Sequence, residues 1–572
     1  MKGASGTCRL ACLAAVALAL GCSDKTGPVG APGGRDGIIL RYLTPSAQVV
    51  PSTTPRVVTL ALTIQRPAEG GVTEPYAGAL MQAALDEGRG RLRSQFSTAD
   101  SRGLASFEVE MPAQVDRTRV TVTLQEDPRS FLPFEIVATG ITPVALEAGG
   151  ILELQPTAEG NLLRFPAEDA EYTLIPYQTD LERRTGYRLL YQAPGDVMVG
   201  SLATAELAGG LAVGGGTTGQ AHQGIDAGGL TPAAGIAPAL NIKSCRIDAD
   251  RMAPLRYLGH HVAIYVDAPA DSHQARIDSL GRAFDEDIFP TNGRLFGPTT
   301  DLDGNGRVLV IMSPELGVDG GVYCDSVRLR GVEAFYANWI PVDPIDRPLS
   351  TLAHEHQHVI NAGYHLASRG AVGDERWLNE GLSLAAEALN GYWGRPLSRI
   401  WSFLGGQNGG LTMLPLDYGE IFDDRYMMFL LYLGDRFGSL TYRKLGESGL
   451  AGVSNVERVT GLPFHELLRD WFITVAVSNQ GLLDDPRYNY LTLNLQGMEE
   501  EIAACSCVPG SRLEGMTLER LHLDATFNIT RTLDRADADY FRLRTEAGGR
   551  DFDVYFDAFG KTTVRMAVIR SE

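Results

Sequence analysis

The sequence predicts a multidomain chain: an all-β N-terminal region, a central α+β domain and a small C-terminal β-domain. Three observations carry that prediction. A length of 572 residues is enough for three or four domains. Between residues 37 and 157, short β-rich runs such as RVVTLALTI, ASFEVEM and RVTVTL alternate with turn signals. From residue 241 strand-like runs come first and long helical patterns follow, and strands return after residue 509. A hydrophobic fraction of 44% with 21% charged residues is that of a folded protein. The 50 Lys and Arg against 70 Asp and Glu give a net charge of −20. That balance argues against a nucleic-acid partner, because phosphate binding needs a basic surface and no local basic patch is present.

Residues 1–22 read as an export signal. Lys2 and Arg9 form a basic start, and Leu10 to Leu20 is an apolar run of about eleven residues, too short to span a bilayer. The following Ala19-Leu20-Gly21-Cys22 resembles the lipobox of bacterial lipoproteins, with Ala19 and Leu20 swapped relative to the usual pattern. The resemblance implies lipidation of Cys22, a membrane anchor, and placement at the bacterial outer membrane or cell surface; ordinary secretion is the alternative. Residues 23–36 (SDKTGPVGAPGGRD) read as a flexible tether. Cys245, Cys324, Cys505 and Cys507 remain, an even set that suits disulfides in an exported protein, with four buried thiols as the alternative.

Within residues 37–157, the stretch TADSRGLASFEVEMP resembles part of an immunoglobulin-like sandwich of bacterial surface proteins. Residues 158–201 add a further β segment (NLLRFP, EYTLIPYQ, YRLLYQAP), and the Gly/Ala-rich residues 202–240 read as a linker. Residues 241–508 form the central domain. The tail, 509–572, holds the strands DYFRLRT, DFDVYFDAF and TVRMAVI; its Asp537 to Phe541 start resembles the small β-domain that follows the catalytic unit in many secreted bacterial peptidases.

The chemistry concentrates in the central domain. Ser350 to Ile360 contains His354-Glu355-His356-Gln357-His358, an H-E-x-x-H pattern with a polar start and an Asn361-Ala362-Gly363 stop, so it reads as a capped helix. Positions four apart share a helix face, so His354 and His358 can present their imidazoles to one ion, with Glu355 in reach of its water. Zinc catalysis needs a third protein ligand and an open position. Glu380 follows His358 after twenty-one residues, in ERWLNEGLSLAAE; Glu387 falls on the same helix face two turns later, with Ser383 between them.

These residues resemble the gluzincin metallopeptidases, most closely the hyicolysin type, whose helices carry H-E-x-x-H and then W-L-N-E-G-L-S. The resemblance implies a zincin-like metallopeptidase domain acting on a protein or peptide substrate. It implies zinc held by His354, His358 and Glu380, with Glu355 as general base and proton shuttle. It also implies that Glu387 accepts the outer N–H of a ligating His. Relatives often place an oxyanion donor on a later helix, for which Tyr426 is the first candidate and Tyr418 the second. Position 384 is Leu where thermolysin-like members carry Asp, and position 364 is Tyr where a third His would define a metzincin.

Three further features lie outside that set. His356 is two residues from each ligand and points to the opposite side of the helix; His365 follows the helix stop. Asp301, Asp303 and Asn305 match the first half of a calcium loop, but position twelve is Met312, so an EF-hand is excluded and a tight turn entering the strand RVLVIM is preferred to a Ca2+ site. VEAFYANWIPV (332–342) reads as an edge strand able to pair with an extended peptide. Two rival functions share the fold: a surface adhesion lipoprotein that lost turnover, and an aminopeptidase. Presence of both His with Glu355 and Glu380 counts against the first. The second needs an anchor for a free amine, for which residues 338–349 offer only Asp343 and Asp346.

Overall fold

The computed structural model describes residues 38–44, 47–53, 55–68, 72–180, 183–191, 239–241, 252–267, 273–314, 316, 320–321, 331–339, 344–369, 374–404, 424–495, 497, 518–524, 526–533, 535–546 and 550–572. The export signal with Cys22, the tether, nearly all of the linker, Cys245, Cys324, Cys505, Cys507 and Tyr418 lie outside the described residues. The chain divides into two compact units, the cut falling between Gly140 and Ile141.

In the first unit, alternation of apolar and polar residues builds two sheets around one core. One sheet orders Ile39–Tyr42, Arg56–Pro67, Leu104–Met111 and Arg91–Leu92, with Thr73–Pro75 attached to the second of these. The other orders Ala47–Pro51, Asp127–Thr139, Asp116–Leu124, Leu80–Glu87 and Phe96–Thr98. Ala105, Phe107, Val109 and Met111 point inward from one strand, and Val120, Val122 and Leu124 from another, the period-2 signature of a half-buried strand.

The second unit begins with another sandwich, and here the expected boundaries are corrected. Residues 141–191 and the tail do not form separate domains. Asn161–Phe165 and Thr185–Tyr191 both pair with Phe552–Asp557, while Ile151–Leu154 and Ala170–Gln178 both pair with Val564–Arg570. Each sheet interleaves strands from the two ends of the unit, so neither half can bury its apolar face alone. Their shared core includes Leu163, Phe165, Tyr172, Leu189, Phe541, Val554 and Val568.

Between those halves stands the central domain. Its sheet runs Ala239–Asn241, Met252–Leu258, Val262–Val266, Val308–Ser313, Ala334–Asn338 and Gly320–Gly321. The three strands Val262–Val266, Val308–Ser313 and Ala334–Asn338 are parallel neighbours. Helices α1 (Gln274–Ala283) and α2 (Phe289–Phe296), joined by a π-turn at Phe284–Ile288, connect the first two of these. A crossover helix thus interrupts the strands that sequence periodicity placed in one run. Ala334–Asn338 was expected at an edge, yet Gly320 and Gly321 pair with its Ala337 and Tyr336. The two-residue partner has too little sequence to announce itself.

The helical part comprises α3 (Asp346–Arg369), α4 (Arg376–Leu389), α5 (Gly394–Leu404), α6 (Asp424–Phe437), α7 (Leu440–Glu447), α8 (Gly452–Thr460) and α9 (Phe464–Val477). Leu378, Leu382, Met427, Leu430, Leu468 and Trp471 share its main core. Tyr177 of the sandwich joins them, its ring 5.9 Å from that of Phe472 on α9. Among the described residues no helix is long and apolar enough to cross a membrane.

The stop expected at Asn361-Ala362-Gly363 is also corrected, because α3 continues to Arg369. Gly363 has a packing role: a Cβ there would lie 2.5 Å from Thr300 Oγ1. Helix propensity alone predicts that Gly363→Ala gains about 1 kcal/mol. Overpacking costs roughly 1–3 kcal/mol, so the expected outcome is a net loss of up to about 2 kcal/mol, read by denaturant unfolding.

Candidate metal centre

Helix α3 sets His354 and His358 one turn apart. Helix α4 turns Trp377, Leu378, Leu382, Ala385 and Ala386 into the core, leaving Asn379, Glu380, Ser383 and Glu387 to meet α3. This division follows from an apolar stripe at helical spacing. The two imidazoles face each other with Nε2 atoms 3.2 Å apart, and Glu380 Oε2 lies 3.5 Å from that of His354 and 3.6 Å from that of His358.

Three Lewis bases thus converge, all within 4.8 Å of one another. A tetrahedral zinc with bonds of about 2.0–2.1 Å has ligand-to-ligand edges of roughly 3.3–3.4 Å, so this donor set fits that ion in both spacing and chemistry. The far ring nitrogens have their own partners. His354 Nδ1 is 2.9 Å from Glu387 Oε1, and the other oxygen of Glu387 accepts from Ser350 Oγ. His358 Nδ1 is 2.9 Å from Ser383 Oγ and 3.2 Å from Asn379 Oδ1.

Electrostatics reflect the crowding. Burial opposes a charge on His354, but hydrogen bonds to Glu380 and Glu387 and the nearby Glu355 overcome it and raise the pKa from 6.5 to about 10. Burial also opposes ionisation of Glu380, yet the two imidazoles hold its carboxyl far below the usual range. Glu355, 4% exposed, is raised by burial against the pull of both histidines, and its Oε2 has no hydrogen-bond partner.

A metal can bind His354 only in its neutral form. Metal uptake is therefore expected to release about one proton, with apparent affinity rising about tenfold per pH unit below the raised pKa. Chelator competition between pH 6 and 8 checks the slope. In the metal-free protein the sign is opposite: protonated His354 stabilises the fold fully below 6.5, and that contribution is lost as pH rises through about 10.

His356 faces away, as its spacing predicts. It is fully buried, with Nε2 2.8 Å from Thr299 Oγ1, and its ring stacks 5.3 Å from Phe289; burial pushes its pKa down to about 3. His365 does not follow the helix but lies within it, buried, with Nε2 3.7 Å from Asp374 Oδ2.

Tyr426, the first candidate for oxyanion donor, lies on α6. It is a core residue, 0% exposed, with its ring 6.5 Å from Trp377 and its Cβ 3.0 Å from where a Cβ on Gly381 would stand.

The Asp301–Asn305 run forms the expected turn. Asp301 Oδ1 accepts from Gly306 N, Asp303 Oδ1 from Asn305 N and Asn305 Oδ1 from Arg307 N, with Gly304 and Gly306 in left-handed conformations. A residue that the sequence did not single out, buried Glu333, brings a third carboxylate to Asp301 and Asp303. It lies immediately before the strand Ala334–Asn338, beyond reach of local spacing. Asn379 and Asn361 were likewise missed; for Asn379 the available signal was its place four residues before Ser383.

Sheets and site together define a multidomain chain, rich in β-sheet towards its N-terminus, whose helical central region carries a candidate His-His-Glu metal site compatible with zinc. A 167-residue stretch is 28% identical to the neutral metalloprotease ShpI of Staphylococcus hyicus, which supports a metallopeptidase relationship. The match covers 25% of this chain and 37% of that protein, so the chain spans little more than a third of its relative. No protein-family profile matches. Among solved structures, the D00-D0 domain of intimin aligns with 20% of this chain and 51% of its own at 16% identity and a TM-score of 0.15. The secreted serine protease VesC of Vibrio cholerae aligns with 29% and 41% at 9% identity and a TM-score of 0.16. Likenesses at those scores have no bearing on the fold.

Proposed function

We propose that the chain is an exported zinc-dependent endopeptidase of the hyicolysin type, with a zincin-like central domain. The convergence of His354, His358 and Glu380 beside the buried Glu355 carries this reading. Zinc, when bound, supplies Lewis-acid polarisation and an acidified water. The chain's own groups do the rest. Glu355 accepts the water's proton at its unpartnered Oε2 and later returns it to the leaving amine. Its burial helps in both directions, since a raised pKa brings a carboxyl closer to the working pH. Glu387 keeps the Nδ1 proton of His354, and so aims its Nε2 at the ion.

The immunoglobulin-like character of the first sandwich and lipid anchoring through Cys22 belong to the same proposal. The lipobox-like Ala19 to Cys22 supports the anchor. Purified protein is expected to release internal fragments from casein, to lose that activity on dialysis against a chelator, and to regain it with zinc. Release of single residues from aminoacyl reporters would favour an aminopeptidase; zinc binding with every substrate intact would favour an adhesin.

A further inference from the structure

His354 and His358 are backed by different chemistry. Behind His354 stands an anion, Glu387. Behind His358 stand two neutral groups, Ser383 Oγ at 2.9 Å and Asn379 Oδ1 at 3.2 Å. We propose that Ser383 and Asn379 are interchangeable positioning residues that hold the Nδ1 proton of His358 and so leave its Nε2 free to bind the metal. This rests on the metal site proposed above.

The hydrogen-bond arithmetic around each group carries the proposal. Ser383, 0% exposed, has one hydroxyl proton, for which Gln357 Oε1 and the Asn379 backbone carbonyl, at 3.1 Å, are the acceptors. The hydroxyl oxygen is then available to His358 as an acceptor. Asn379 Oδ1, the amide atom turned towards the imidazole, accepts from Asn361 Nδ2 at 2.6 Å. Asn361 comes from the same helix as His358, three residues on, and is itself buried. Both neighbours of Nδ1 are therefore acceptors. This arrangement places the proton on Nδ1, with the lone pair of Nε2 towards His354 Nε2 and Glu380 Oε2. A carboxylate behind a ligating imidazole raises its basicity, whereas neutral acceptors fix tautomer and orientation alone.

Redundancy gives a signature that a packing role would not. Removing one acceptor leaves the other, but removing both strands a buried N–H. Zinc dissociation constants from chelator competition, and the visible spectrum of the cobalt-substituted protein, are compared for wild type, Ser383→Ala, Asn379→Leu and the double variant. Each single variant should bind within about threefold of wild type and the double about 10–100-fold more weakly, well beyond the product of the singles, with an altered cobalt spectrum. Ser383→Thr, which keeps the hydroxyl, should match wild type. Ser383→Ala with Asn379→Asp, which restores an acceptor of the same shape, should recover affinity, and that pair decides the matter if the double variant does not fold. Single losses that simply multiply, a double variant binding as wild type does, or no recovery with Asp would overturn the proposal. Wild-type protein that takes up no zinc would remove the proposed function as well; tight wild-type binding with an unaffected double variant removes this inference alone.

Discussion

Glu355→Gln is expected to leave zinc content near one ion per chain while casein hydrolysis falls by about 10²–10⁴-fold, the usual worth of a positioned general base. The side chain keeps its shape and loses the atom that accepts the proton. None of the three converging ligand atoms belongs to it, so the His-His-Glu set is untouched. The variant should also fold at least as well. Burial raises the pKa of Glu355, so its ionised form weakens the fold above the ordinary carboxylate range, and a neutral amide removes that cost. Metal analysis, turnover and melting of the metal-free protein check the three parts. Unchanged turnover would remove Glu355 from the mechanism.

A second large effect is expected from Glu380→Ala, this time on the metal. Its carboxylate lies 3.5 and 3.6 Å from the two imidazole nitrogens and is the anionic member of the set. Its loss should weaken zinc binding by more than the roughly 10–100-fold that follows removal of an outer partner, and hydrolysis should fall with occupancy. A separate readout exists in the metal-free state. Glu380 contributes to raising the pKa of His354, so the variant's His354 should titrate lower, which NMR of the imidazole carbons measures. Zinc bound as tightly as in wild type would show that Glu380 is no ligand.

Much of the site was legible because it depends on local periodicity. Residues 354 and 358 had to share a helix face, as did 380, 383 and 387 on the next helix, whatever the rest of the chain did. His356 was excluded by the same geometry. Spacing could not reveal the surroundings of the oxyanion candidate: Tyr426 is fully buried, and its Cβ approaches α4 at Gly381. Gly363 misled in a related way, since a glycine that ends a helix and one that admits a neighbour look identical in sequence.

By itself the sequence determined which segments are strands or helices in the strongly periodic stretches, and which residue types could hold an ion. It could do so because side-chain direction repeats every 2 residues in a strand and every 3.6 in a helix. Only the tertiary structure decided which segments are neighbours. The second sandwich joins residues 141–191 to the tail across the whole central domain, Glu333 reaches the Asp301 turn, and α3 and α4 bring Glu380 to the imidazoles. Those pairings arise from burying apolar faces between elements far apart in the chain. No local pattern encodes that distance.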